Sequence, residues 1–158
     1  MSIARTEDWQ ITLAQMVQDA AAVPFAWGTH DCCMWSADVV KAISIDGIDL
    51  AAAYRGTYND QASAQQVIST ATNGGTLEDL MVKIAGDNEM NEYPPAFAQR
   101  GDVALFDTDS GPALGIVVAS GDAAFVSPDG LVMIAIGNVR RSWRVSAAPY
   151  VPLGVQPV

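Results

Sequence analysis

The chain has 158 residues, half of them hydrophobic and 16% charged, with a net charge of −10. That balance favours a folded domain with a substantial core over a disordered segment. An acidic chain whose eight Lys and Arg residues are scattered also argues against nucleic acid, which is held by clustered basic side chains meeting phosphate.

No stretch approaches the ~20 apolar residues of a membrane span. Residues 1–10 carry acids and no long apolar run, unlike a secretory signal. The expectation is a protein made in the cytoplasm and either kept soluble there or carried inside a larger assembly.

In chain order, residues 7–23 read as a helix. Trp9, Leu13, Met16, Val17 and Ala20 follow the helical period, Thr6 is a candidate cap and Pro24 ends it. A second helix is expected over 31–45, with Met34, Trp35, Ala37, Val39, Val40 and Ile43 forming its apolar side and Asp46-Gly47 stopping it. Residues 48–58 read as irregular. Asn59 or Asp60 caps a third helix to Ala71, broken at Asn73-Gly74-Gly75. Thr76-Leu77-Glu78-Asp79 has the pattern of a capping box opening a fourth helix through Ala85, and Pro94-Pro95 marks a loop. From Gly101 the pattern changes to strands, expected over 102–106, 113–119, 123–126, 131–136 and 143–145. Pro128-Asp129-Gly130 forms a hairpin turn. Helices first and an antiparallel sheet afterwards make an α+β fold.

The chemistry concentrates at Trp27-Gly28-Thr29-His30-Asp31-Cys32-Cys33. A turn delivers an Asp-Cys pair to a helix start. There a thiol meets unpaired backbone N–H groups and the positive end of the helix dipole, which favour the thiolate. The two cysteines are the only ones and they are adjacent. Consecutive Cα atoms lie ~3.8 Å apart, whereas a bridge wants ~5.5 Å, so a disulfide framework is excluded. A structural zinc usually takes four N or S ligands, and two thiols with one His fall short. No cofactor and no metal are expected. Gly74-Gly75 lacks the Lys of a phosphate loop.

The order Trp27-Gly28, Asp31-Cys32-Cys33, Gly101-Asp102-Val103-Ala104-Leu105-Phe106 and Leu114-Gly115-Ile116-Val117-Val118 resembles the NlpC-type papain-like cysteine peptidases. The likeness runs over residues 24–136 and is strongest to small phage tail-associated NlpC-like proteins. It implies one NlpC-like domain over residues 1–148, with N-terminal helices packed on a C-terminal antiparallel sheet, followed by a Pro-rich extended tail over 149–158. It places Cys32 at the nucleophile and Cys33 where the family has Ser. The family's catalytic His stands two residues before the Gly that is here Gly115, and this chain has Ala113 there. Ala cannot accept a proton. The family's third polar residue, which orients that His, has no clear counterpart, and Ser127 is the only nearby polar side chain. The sole histidine, His30, is the candidate substitute base.

Bland readings stand beside these. Free Cys often serves as a small buried hydrophobe, Asp31 is an ordinary helix cap, and Trp27, Trp35 and Trp143 suit core or interface anchoring. Arg140, Arg141 and Arg144 form a solvated face or a dock for an acidic partner. Asp102 and Asp107 do not form a convincing acid pair. Three functions follow. The favoured one is a virion tail protein at the tail-tip hub with a decayed hydrolytic site, bound to other tail proteins (hub, distal tail, tape measure). The second is an active cysteine peptidase or amidase acting on peptidoglycan stem peptides. The third is a small-ligand or peptide-binding module without turnover.

Overall fold

The computed structural model describes residues 3–145. The expected Pro-rich tail over 149–158 lies outside them. Four helices come first: α1 (Trp9–Ala20), α2 (Cys32–Ile43), α3 (Gln61–Thr72) and α4 (Leu77–Asp87). Six strands follow: β1 (Glu92–Tyr93), β2 (Val103–Thr108), β3 (Gly111–Ala119), β4 (Asp122–Ser127), β5 (Gly130–Ala135) and β6 (Val139–Trp143). They form one sheet in the order β1-β6-β2-β3-β4-β5, with every pairing antiparallel. None of the described helices is long and apolar enough to cross a membrane.

Local capping chemistry sets most helix starts. The Asp60 carboxylate accepts from the Ser63 N–H at 2.7 Å, closing a capping box at α3. At α4 the Asp79 carboxylate reaches back to the Thr76 N–H at 2.8 Å. Asn73 ends α3 in the left-handed conformation, with φ 56°. The expected Thr6 cap is not made. Its N–H donates to the Ile43 carbonyl at 2.8 Å, tying it to the end of α2, and α1 begins after Asp8 without a side-chain cap bond.

Alternation along the strands divides the core. Val103 and Leu105 of β2, Leu114 and Ile116 of β3, and Ala124 and Val126 of β4 face the helices. There they pack with Leu13, Trp35, Val39, Val40, Ile43, Leu80 and Met81. The intervening residues Ala104, Val117, Ala123 and Val139 pack on the opposite face with Ala98, Ile134 and Ile136. Two short 3₁₀ segments, Pro95–Phe97 and Ile136–Asn138, supply part of that cover.

Two expectations are corrected. The last strand is Val139–Trp143, not 143–145, and it is inserted between β1 and β2. A β1 of two residues, unseen in the sequence, borders it, secured by the Ser142 hydroxyl donating to the Tyr93 carbonyl at 2.8 Å. The basic trio is not a free solvated face either. Arg140 pairs with Glu78 and Asp107, Arg141 with Glu78 and Glu92, and Arg144 with Asp102. Those acids lie far away in sequence and stitch α4 and β1 onto β6.

Candidate functional site

The site is built at the N-terminus of α2. Asp31 is its cap and is buried to 2% exposure. One carboxylate oxygen accepts from the Met34 N–H at 2.8 Å. The other accepts from the Gly28 N–H at 2.8 Å and from the Tyr58 hydroxyl at 2.6 Å. Burial and the Asp31 carboxylate push the Tyr58 phenol well above its ordinary range. Gly28 has φ 83°, and a Cβ there would overlap the Tyr58 carbonyl oxygen. The Trp27-Gly28 step is therefore a backbone requirement for bringing the 48–58 loop against the cap.

Asp31 thus fixes Cys32 and Cys33 as the first two residues of the helix. Both thiols are half-buried and free, with sulfurs 3.8 Å apart in hydrogen-bond contact. The Cys33 thiol lowers Cys32 below the ordinary thiol range, helped by the Leu114 and Cys33 N–H groups and opposed by burial and by Asp31. The same thiol–thiol contact, burial and the neighbouring negative charge push Cys33 well up.

Facing Cys32 is the start of β3. Ala113 is buried among Phe106 and Phe125, whose rings meet edge to face at 4.6 Å, and Cys32 packs against this cluster. The adjacent Gly115 is again a backbone requirement, because a Cβ would run into the Ala124 carbonyl oxygen. Ser127 lies at the end of β4 on the wall of the same cleft. Its hydroxyl donates to the Gly130 carbonyl at 2.8 Å and accepts from the Asp129 N–H at 3.1 Å, so it is engaged in the hairpin turn.

His30 is brought next to Asp31 in the chain but not to the thiols. It pairs with Ala26 through two backbone hydrogen bonds. Its Nε2 is buried without a hydrogen-bond partner among the described residues. It makes no hydrogen bond to Cys32 and does not line the cleft. Asp102 is fully buried 70 positions from Cys32. It accepts from Arg5 at 3.2 Å, Arg144 at 3.1 Å and the Gln99 N–H at 2.9 Å. Its work is to join the N-terminal segment, the opening of β2 and the end of β6.

The thiols open on a cleft of about 820 Å³ between α2, the α3–α4 pair and the β3 and β4 ends. Its walls are largely apolar, with Leu50 and Tyr54 from the loop before α3 and Ile68, Leu80 and Ile84 from α3 and α4. Phe25 and Trp27, edge to face at 5.0 Å, stand at the rim. No group of three or more His, Cys, Asp or Glu side chains that could hold a metal occurs among the described residues. Sequence reasoning missed Tyr58, because its bond to Asp31 spans 27 positions.

The site therefore holds a half-buried thiol, contacts that favour its thiolate and an adjoining cleft, with the Ala113 methyl group packed beside it. Residues 4–145 match the family described as "Domain of unknown function (DUF6950)", and the chain belongs to that family. No curated protein matches it in sequence. Among solved structures it is similar to the NlpC/p60 domain of peptidoglycan hydrolase SagA, with a TM-score of 0.51 and 12% identity over 85% of this chain and 97% of that one. At that identity the likeness is one of fold, and the fold is an NlpC-like α+β architecture.

Proposed function

We propose that this DUF6950 chain, on its NlpC/p60-type fold, is a virion tail protein of a phage, a tail-tip or hub component whose hydrolytic site has decayed. The observation that carries the loss of hydrolysis is Ala113, closed in by Phe106 and Phe125 against Cys32. Amide cleavage by a thiol needs a group that takes the thiol proton and returns it to the leaving amine. An apolar cluster provides neither step. Function resides in the site and not in the fold, so an architecture shared with a hydrolase survives its chemistry. The tail assignment rests on the sequence resemblance to small phage NlpC-like proteins. Its partners are then hub, distal-tail and tape-measure proteins, and its place is the virion after synthesis in the host cytoplasm.

Peptide mass spectrometry of purified phage particles tests the assignment. The chain is expected at a fixed copy number per particle, and particles made without it should be tail-defective. Its absence from intact particles would remove the assignment.

The cleft favours a second reading. An open cavity of about 820 Å³ remains beside Cys32, so stem peptides can be bound, or cleaved if a neighbouring subunit donates the base. Isothermal titration with a synthetic stem peptide separates these. Heat without products marks a binding module, and products mark an active peptidase or amidase.

A further inference from the structure

We propose that Cys32 is an acyl-acceptor site: it takes a fatty acyl group from an acyl thioester of the acyl-coenzyme A class, and the acyl chain lies in the apolar cleft. The inference uses the missing base but not the tail location.

The chemistry follows from what the site keeps and what it lacks. Expelling an amine requires a group that takes the thiol proton and returns it to nitrogen, and the apolar cluster of Phe106, Ala113 and Phe125 offers none. Expelling a thiolate does not, because a thiolate is a stable leaving group near neutral pH. The Cys32 thiolate attacks the thioester carbonyl carbon. A new carbon–sulfur bond forms, and the bond to the coenzyme sulfur breaks with its electron pair leaving on that sulfur. The released thiolate takes up one proton from solvent, equal to the one Cys32 gave up. No oxidant, reductant or metal is needed. The same apolar cluster of Phe106, Ala113 and Phe125 that denies a base to Cys32 also denies one to an attacking water, so the acylated thiol persists.

The geometry suits the ligand. The Cys32 sulfur is half-buried on the cleft wall and lies 3.8 Å from the Cys33 sulfur, in hydrogen-bond contact. Behind it the cleft runs between Leu50, Ile68, Leu80 and Ile84. Its volume of about 820 Å³ falls within the range of roughly 300–1,000 Å³ of small-molecule sites. No charged side chain is needed to hold an acyl chain, whose affinity comes from apolar burial alone.

The test is incubation of the purified full chain with acetyl-, decanoyl- and myristoyl-coenzyme A below their micelle concentrations, read by intact-protein mass spectrometry. One acyl group per chain is expected, at Cys32, removable by neutral hydroxylamine. Its second-order rate should rise by up to about fourfold per buried methylene until the cleft is full. Cys32→Ser should abolish the adduct, and peptide mapping should place it on Cys32 and not on Cys33. Ile84→Trp, which narrows the cleft, should flatten the chain-length dependence. No adduct with any thioester, or a wild-type rate unchanged from acetyl to myristoyl, would overturn the proposal. Neither result bears on whether the protein sits in a tail or cuts peptidoglycan.

Discussion

The Tyr58 hydroxyl donates a 2.6 Å hydrogen bond to the carboxylate of Asp31, and through it the irregular loop before α3 is tied to the cap that presents the cysteines. The phenol and the cap bonds act as one unit, because the same carboxylate also takes the Gly28 and Met34 N–H groups. Removing the phenol hydroxyl in Tyr58→Phe leaves a buried carboxylate one donor short. The expected loss is about 1.5–3 kcal/mol, the usual worth of a hydrogen bond to a charged group, measured by urea unfolding. Asp31→Ala should cost more than Tyr58→Phe, since it also orphans two backbone donors and removes the cap.

The same phenol gives an alkaline signature. Its pKa is raised in the folded protein, so the folded chain holds its proton where the unfolded chain releases it. Its contribution to stability is whole below the unfolded value of about 10 and is lost as pH rises beyond it. Stability measured from pH 9 to 11 should fall in the wild type and fall less steeply in Tyr58→Phe. Equal slopes would mean that Tyr58 ionises freely.

The two thiols should separate in reactivity. Cys32 is lowered and Cys33 raised, each chiefly through the other. Iodoacetamide at neutral pH should label Cys32 at least about tenfold faster than Cys33, since the thiolate is the reacting form. In Cys33→Ala the midpoint of the pH–rate profile for Cys32 should move up. In Cys33→Ser, which keeps a donor, it should stay nearer the wild type. His30→Gln should leave the profile within about twofold, because a side chain that does not reach the sulfur cannot act as its base. A large drop in that variant would make His30 the base after all.

Asp102 supports a different element of the fold. It is fully buried between Arg5 and Arg144. Asp102→Asn keeps its shape but strands two guanidinium groups, which typically costs about 3–5 kcal/mol. Thermal unfolding should show the loss with little dependence on salt, whereas Lys83→Ala, at an exposed pair with Asp87, should change stability by less than about 1 kcal/mol.

Much of this was legible in the chain, and the division follows sequence distance. The starts of α3 and α4 were readable because a cap is satisfied within four residues, as at Asp60–Ser63 and Thr76–Asp79. The four strands β2 to β5 were visible in their apolar residues and turn signals. The helix-opening Asp31-Cys32 pair and the strand-opening Gly101-Asp102 pair were visible as motifs. What escaped depends on partners far along the chain. A two-residue β1 carries no periodicity, and β6 is placed by pairing with β2 and β1. The three arginines read as free because Glu78, Asp107, Glu92 and Asp102 lie 33 to 63 positions away. Thr6 had the composition of a cap, but its backbone was claimed by Ile43. Ala113 could be seen to lack a base. That Phe106 and Phe125 close around it became visible only when three strands were aligned.

On the proposed reading, supplying an imidazole alone should not create hydrolysis. Ala113→His places an imidazole into the Phe106–Phe125 cluster, with Ser127 already engaged in its turn and no group to orient the ring. Overpacking should lower stability by about 1–3 kcal/mol, and hydrolysis should stay at background.

The most direct measurement is exposure of the purified wild-type chain to peptidoglycan and to a synthetic stem peptide, with products followed by mass spectrometry over many hours. A scaffold with Ala113 in place of a proton acceptor predicts no cleaved amide bond, in wild type and in Cys32→Ser alike. Release of stem-peptide fragments by the wild type, abolished in Cys32→Ser, would contradict it.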